Sequence, residues 1–352
     1  MSISSAIKSI NHVIPNDCIQ YQVETIQIDD ETSFTLACSS ECKQLPANGG
    51  IRWRPYASRK HQEDEAIMLA QRMSLKHGLY NTGFSGGKIV VNSKRSPKEQ
   101  PEVLEAIADL LNHYNGSMFT GCDINTDNQD MSYLRHFTPW ILNAMDSPLI
   151  DTSTATGFGV WSSIHKILLL RLADQTHPRI VIHGMGKVGC EVAKQSLLFG
   201  CEVWGYDINP QANFPRGVKR LTETQFWQQS SDIVCIASLS GTLTLENVDL
   251  LDTQWVVSSA NSPFSNTAAQ LRLLARGVLY LPDYVSNAGA VICDSIEMTF
   301  AHRYNLMTQE EINAYVHSVI GGKTAELLRC SQLLECDISM LLQPPKLTKT
   351  AA

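Results

Sequence analysis

Gly184, Gly186 and Gly189 carry the most specific chemical signal in this sequence. They follow the apolar run at residues 180–182 and His183, and they open a segment of helical length, residues 187–198, closed by Gly200. Glycine at 184 permits a tight turn, at 186 it lets backbone approach a pyrophosphate, and at 189 it lets the helix pack close to the strand. Met185, Lys187 and Val188 complete a loop whose free N–H groups would face phosphates at a helix N-terminus. A second strand, residues 203–206, ends at Asp207, about 20 residues on, where a carboxylate can accept from both ribose hydroxyls. Asp207 also repels a 2′-phosphate, and Ile208, Asn209 and Pro210 bring no cation to offset it, so the pattern predicts NAD rather than NADP. A glycine turn without a ligand would leave the acid at the second strand end unexplained.

Two lysines of the first half stand out, Lys76 in Met73-Ser74-Leu75-Lys76 and Lys88 after Gly86-Gly87. The glycine pair allows close backbone approach and an apolar strand follows, so the Lys88 amine is expected at a strand mouth, partly desolvated. Its pKa would fall towards neutrality, as a general base requires. On that stretch alone, a surface lysine after a turn is the simpler reading.

The elements that must position these groups fall into two halves. From Arg179 onward, strand-like runs at 180–182, 203–206, 233–236, 255–258 and 278–281 alternate with helical lengths, the order that builds a parallel sheet. The first half shows strand-like alternation at 21–28 and 33–37, then a helix with Ala66, Ala70, Met73 and His77 on one face. The predicted fold is therefore α/β in two domains. Residues 1–148 form an N-terminal α/β substrate-binding and catalytic domain, and residues 149–315 a doubly wound Rossmann dinucleotide-binding domain, with a cleft between them. Residues 316–352 are expected as a helical segment returning towards the first domain. Residues 147–156, rich in Ser, Thr and Pro, read as the hinge, an apolar helix follows at 160–172, and the tail after Gln343 reads as loose.

The chain's 352 residues exceed what a single core of roughly 250 to 300 residues organises efficiently, in keeping with two domains. At 43% hydrophobic and 18% charged, with a net charge of -7, it suits a globular protein and offers a polyanion no electrostatic purchase, so nucleic acid is not an expected partner. The ten cysteines are scattered; Cys38 and Cys42 have no matching second pair or histidine nearby, so reduced thiols and no metal site are expected. No run has the length and apolarity of a membrane span or signal peptide, which makes the cytoplasm the expected compartment.

A wider set of motifs resembles the glutamate/leucine/phenylalanine/valine dehydrogenase family, most closely its leucine dehydrogenase branch. The matching pieces are Gly49-Gly50-Ile51-Arg52, Met73 to Lys76, Gly86-Gly87-Lys88, Thr120-Gly121-Cys122-Asp123 and Thr156-Gly157-Phe158-Gly159. The glycine fingerprint, Ser259-Ala260-Asn261 and the stretch from Pro282 to Gly289 continue the series in the family's order, over about residues 45 to 320. The resemblance implies reversible oxidative deamination of an L-amino acid to the 2-oxo acid and ammonia. Lys76 would bind the substrate carboxylate, Lys88 would activate water, Asp123 would exchange protons with the substrate nitrogen, and Asn287 would position substrate and nicotinamide. Thr156, Ala237, Ser238, Ala260 and Asn261 would contact the cofactor. Hydride would pass from substrate Cα to the nicotinamide, with water excluded by closure of the cleft. At least a homodimer, built through the first domain, is also implied.

The same resemblance places the substrate side chain among Asn48, Gly49, Gly50, Gly121, Val316 and Val319. Gly121 and the two valines suit a small to medium aliphatic substrate such as leucine or valine and offer a second carboxylate no partner. Asn48 does not fit: either its amide turns to backbone at the turn into Gly49, or it faces the pocket and pairs with a polar side chain. The sequence departs from the family in its first forty residues, at Cys122, at Ser262-Pro263, and after Asn287, where Cys293-Asp294-Ser295 replaces a more regular stretch. Two other classes stand beside this reading. A non-catalytic NAD-binding sensor would not need Lys76, Lys88, Asp123 and Asn287 together. A hydroxy-acid oxidoreductase would rely on a histidine, but His183 is expected to pack under the sheet, and His136, His165 and His317 resemble ordinary helix residues.

Overall fold

The computed structural model describes residues 20–40, 44–142 and 144–342. They form two compact units, one of residues 20–148 with 294–307, the other of residues 149–293 with 308–342. The N-terminus, Cys42 and the tail after Gln343 lie outside the described residues.

The first unit is built on a mixed six-stranded sheet among the described residues: β1 (Tyr21–Gln27), β2 (Ser33–Ser39), β3 (Ala47–Asn48), β4 (Ile51–Trp53), β5 (Ser85–Asn92) and β6 (Met118–Phe119). The hairpin β1–β2 and the pair β2–β5 are antiparallel, whereas β3 and β4 run parallel to β5. Helix α1 (Arg59–Tyr80) lies between β4 and β5 in sequence, and α2 (Pro101–Tyr114) follows β5. Ser58 caps α1 by accepting from His61 N at 3.3 Å, and Asn81 ends it in the left-handed region, a conformation Asn tolerates.

Strand alternation sorts the sheet into two faces. Phe34, Leu36, Ile51, Trp53, Ile89 and Val91 pack with Val103, Leu104, Ile107 and Leu111 of α2 in one apolar core. The opposite face sets Ala37 and Val90 against Ala66, Leu69 and Ala70 of α1. Lys88 and Arg52, out of phase with Ile89, Ile51 and Trp53, belong to this second face, and so does Asn48, which follows the core residue Ala47. Of the residues expected to share a face of α1, Ala66, Ala70 and His77 are buried and Met73 is half-buried; Ser74 and Lys76 are buried as well.

The second unit carries α3 (Thr152–Arg171), β7 (Arg179–His183), α4 (Lys187–Phe199), β8 (Glu202–Tyr206), β9 (Lys219–Arg220), β10 (Ile233–Ile236), β11 (Trp255–Ser258) and β12 (Leu279–Tyr280). Its strands are all parallel in the order β12-β11-β10-β7-β8-β9, a doubly wound arrangement that reverses direction between β7 and β10. The strand, helix and strand from 179 to 206 lie where periodicity put them.

Three expectations are corrected. The helix expected from about residue 160 begins earlier: residues 152–156 are the first turn of α3, capped by the Asp151 carboxylate accepting from Ser153 and Thr154 N–H. Lys88 is inside β5, which begins at Ser85, and does not open a strand. Residues 316–342, expected as a separate segment returning towards the first domain, group with residues 149–293. Residues 316–334 belong to a helix, Gln309–Leu334, packed along α3, with Ser163 Oγ and Thr324 Oγ1 2.9 Å apart and Gly159 leaving room for Ile320. Residues 294–307 join the first unit instead: Ser295 Oγ donates to Thr82 O, Ala144 N to Glu297 Oε2, and Ser147 Oγ to Asn305 Oδ1. Apolar periodicity marks a helix but not the neighbour its face selects. Among the described residues no helix is long and apolar enough to cross a membrane.

Candidate active site

Missing side chains bring the candidate catalytic face together. A Cβ on Gly49 would lie 1.8 Å from Gly87 O, and one on Gly50 would lie 2.4 Å from Cys122 O. Only glycine therefore lets the 48–50 segment press against β5 on one side and the 120–123 segment on the other. Thr120 Oγ1 donates to Gly49 O at 3.0 Å and Ile51 N to Gly121 O at 2.9 Å, which fixes the chain leading to Asp123. A Cβ on Gly86 would strike Ala70 O and Ser74, so Gly86 lets α1 approach β5, while a Cβ on Gly87 would strike Met118.

On this face Lys88 Nζ lies 2.6 Å from Asp123 Oδ2, and Arg52 Nε donates to the same oxygen at 3.0 Å. Arg52 Nη1 donates to Glu65 Oε1 of α1 at 2.6 Å, and Arg54 pairs with the other Glu65 oxygen. Lys88 and Arg52 are almost fully buried, at 6% and 5% side-chain exposure, whereas Asp123 keeps 21% and so has an open edge. Buried charges persist only when paired, and this alternation of two cations and two acids meets that need.

Burial lowers the pKa of the Lys88 ammonium below its ordinary value; Asp123 opposes this and the Arg52 charge adds to it. Burial by itself would raise the Asp123 carboxyl, but Lys88 and Arg52 override it and hold the group well below the usual carboxylate range. The pair combines a lysine poised to lose its proton with a carboxylate that stays ionised. Lys76 is buried at 5% exposure on α1, the helix covering this face. His77 beside it is driven down to about 3 by burial, with Lys76 adding to the shift and the Asn48 carbonyl opposing it, and is therefore neutral.

Asn48 corrects the turn reading. It belongs to β3, is 1% exposed, and its Nδ2 donates to Asp294 Oδ2 at 2.7 Å. Burial pushes the Asp294 carboxyl up to about 8, with Glu297 adding to the shift and Asn48 opposing it. Arg52, Glu65 and Asp294 were not expected here from sequence. Arg52 could have been found, since it is the out-of-phase residue between Ile51 and Trp53; Asp294 showed only as an irregularity.

In the second unit the glycine loop joins β7 to α4. Gly184 has φ +97°, and its would-be Cβ meets Ala237 O at 2.7 Å; a Cβ on Gly189 would lie 2.0 Å from Gly184 O. Around a Cβ on Gly186 there is nothing within 4 Å, which leaves that side of the loop open to a ligand. Asp207, just past β8, accepts from Met185 N at 2.7 Å through one oxygen and from Asn209 N at 2.8 Å through the other. Ile208 beside it is exposed. Asn287 donates to Ser259 O at 3.0 Å and Asn261 Oδ1 at 3.1 Å, while its own Oδ1 is buried with no donor. An open glycine loop, a carboxylate at the second strand end and an orphaned amide oxygen fit a dinucleotide bound at the carboxyl ends of the strands.

Thr156 accepts from Ala290 N at 3.1 Å, and Ser238 Oγ lies 2.8 Å from His183 Nδ1. Burial takes His183 down to about 4, with Asp207 opposing, and the ring packs among Tyr206, Phe226 and Trp227 as expected of a neutral core histidine. His165 and His317 do sit on helices, but His136 is in the turn after the short helix Asn128–Leu134. Val316 is fully buried beside Gly159 and Val319 is half-buried.

A doubly wound dinucleotide fold together with a unit that buries a lysine–carboxylate pair defines a class of two-domain oxidoreductases. Residues 15–139 match the Glu/Leu/Phe/Val dehydrogenase dimerisation domain, and residues 205–340 match the Glutamate/Leucine/Phenylalanine/Valine dehydrogenase model. A valine dehydrogenase of Streptomyces coelicolor is 30% identical over 260 residues, covering 70% of this chain and 71% of the relative. A phenylalanine dehydrogenase of Bacillus thermotolerans is 27% identical over 260 residues, covering 70% and 68%. Among solved structures, L-tryptophan dehydrogenase from Nostoc punctiforme superposes with a TM-score of 0.71 at 19% identity, covering 96% of each chain. The hetero-hexameric glutamate dehydrogenase of Thermus thermophilus gives 0.76 at 19% identity, covering 97% of this chain and 91% of that one. The chain belongs to the glutamate/leucine/phenylalanine/valine dehydrogenase family and is an amino acid dehydrogenase. The family generally uses NAD or NADP.

Proposed function

We propose that the chain is an NAD-dependent L-amino acid dehydrogenase that interconverts an L-amino acid with its 2-oxo acid and ammonia. The observation that carries this reading is the buried Lys88–Asp123 contact of 2.6 Å held by Arg52. Lys76 binds the substrate carboxylate, because a buried cation on the covering helix supplies the required charge. Lys88, once neutral, takes a proton from the water that attacks the imine carbon. The Asp123 carboxylate, at the open edge and 2.6 Å from Lys88, relays that proton from Lys88 to the departing nitrogen.

The glycine loop at residues 184–189, Asp207, Ala237, Ser238, Ala260, Asn261 and Asn287 would hold the dinucleotide. When bound, it would supply the acceptor for the hydride that leaves the substrate. NAD is favoured because the Asp207 carboxylate occupies the second strand end, and Arg220 nearby has its guanidinium committed to Pro210 O at 2.7 Å and Ala212 O at 2.8 Å. The match to a dimerisation domain supports a homo-oligomer of at least two copies. The cysteines among the described residues are free thiols, which supports a reducing compartment such as the cytoplasm.

For the substrate, small residues such as Gly121 support an aliphatic side chain of leucine or valine size. The pairing of Asn48 with Asp294 favours a polar one. NADH oxidation by a panel of 2-oxo acids, with and without ammonium, tests the reaction: turnover that requires ammonium is expected. Turnover without it would select a hydroxy-acid enzyme, and its absence with every oxo acid a cofactor sensor.

A further inference from the structure

Asn48 of β3 is the register partner of Gly86 in β5 and of Phe119 in β6, and paired residues of adjacent strands project to the same face. Lys88 stands two residues beyond Gly86 on that face. From strand spacing and rise, the Asn48 and Lys88 Cα atoms are about 8 Å apart. A substrate whose reacting carbon sits at Lys88 can therefore direct a long side chain towards Asn48, with Phe119 beyond it on the same face.

What waits at that end is a set of acceptors. Asn48 spends an amide N–H on Asp294 Oδ2. Among the described residues, no group donates to Asn48 Oδ1 or to Asp294 Oδ1, and the nearest titratable neighbour that acts on Asp294 is another acid, Glu297. His77 faces the Asn48 backbone carbonyl, not its side chain, and is neutral. An aliphatic side chain would leave two oxygens without donors, and a carboxylate would add a third acid. A terminal cation donates to both oxygens and, by pairing with Asp294, draws its carboxyl into the ionised form that burial alone disfavours.

We propose that Asp294, oriented by Asn48, is the specificity-determining residue of this dehydrogenase, and that its substrate is an L-amino acid whose side chain ends in a cationic nitrogen. The inference rests on the amino acid dehydrogenase reading and goes beyond it in naming the substrate class. The family's broad reaction is indifferent to side chain, so the two fail separately.

The test is steady-state deamination by the full-length protein with L-lysine, L-ornithine, L-arginine, L-tryptophan, L-leucine, L-valine and L-glutamate. Asp294→Asn and Asp294→Val are assayed beside the wild type, and NADH binding serves as the check of folding. The expected result is a wild-type kcat/KM for a cationic substrate at least about 100-fold above that for leucine. The cationic preference should be lost in Asp294→Asn, mainly through KM, and inverted towards leucine or valine in Asp294→Val. Should Asp294→Val not bind NADH, the isosteric Asp294→Asn decides. A wild type that prefers leucine, valine, tryptophan or glutamate overturns the assignment while leaving the dehydrogenase reading intact. So does an Asp294→Asn variant with unchanged preference. No turnover of any amino acid overturns both.

Discussion

Lys88 and Asp123 act as a pair because each sets the protonation of the other, and Arg52 biases both. Replacing Lys88 by Ala is expected to lower turnover by about 10² to 10⁴ while NADH affinity, measured by fluorescence titration, stays close to wild type. Wild-type-like turnover would remove Lys88 from the mechanism. Arg52 lowers the pKa of both partners, so Arg52→Gln should raise both and move the acidic limb of the kcat/KM profile to higher pH. The same change leaves Glu65 and Asp123 short of a cation. A loss of about 3 to 5 kcal/mol in urea melts is expected for a broken buried pair; an unmoved profile would show that Arg52 serves packing alone.

Asp294 has the opposite sign. Its carboxyl is pushed up to about 8 in the folded chain, against about 4 when unfolded. The native state thus binds the extra proton across that window, and this residue costs stability as pH rises through it. Asp294→Asn should therefore gain Tm over wild type progressively from about pH 4 to about pH 8 and no further above. A constant offset in calorimetry would show that Asp294 does not titrate there.

Among the elements, glycines decide how closely strands and helices approach, and the two units can be perturbed separately. Gly49→Ala would force β3 away from the backbone of β5, since its Cβ would lie 1.8 Å from Gly87 O. It should lower stability by about 1 to 3 kcal/mol and reduce kcat/KM by moving Lys88 relative to Asp123, with NADH affinity retained. Gly189→Ala pushes α4 from the loop, its Cβ 2.0 Å from Gly184 O. It should weaken NADH binding and leave the pH dependence set by Lys88 in place. If Gly49→Ala weakened NADH binding as much as Gly189→Ala, this division of labour would be wrong.

For the whole molecule, one chain of 39.0 kDa carries both units. The match of residues 15–139 to a dimerisation domain leads to an expected solution mass of at least twice the chain mass in light scattering. A mass of 39.0 kDa at assay concentration would reject a stable oligomer.

Local chemistry makes much of this protein legible in its sequence. The glycine fingerprint, the strands around it and Asp207 depend on neighbours within about 25 residues, where spacing and period alone dictate geometry. Lys88 was legible as a candidate but not as a base, because a lysine after glycines looks the same whether solvated or buried. Only the tertiary fold settled its burial, by bringing Arg52, Asp123 and, from α1, Glu65 around it. The destination of residues 316–342 and the partner of Asn48, 246 positions away at Asp294, were likewise beyond sequence reading. Contacts at such separation are chosen by the packing of whole faces, and neither hydrophobic period nor residue type records which face meets which.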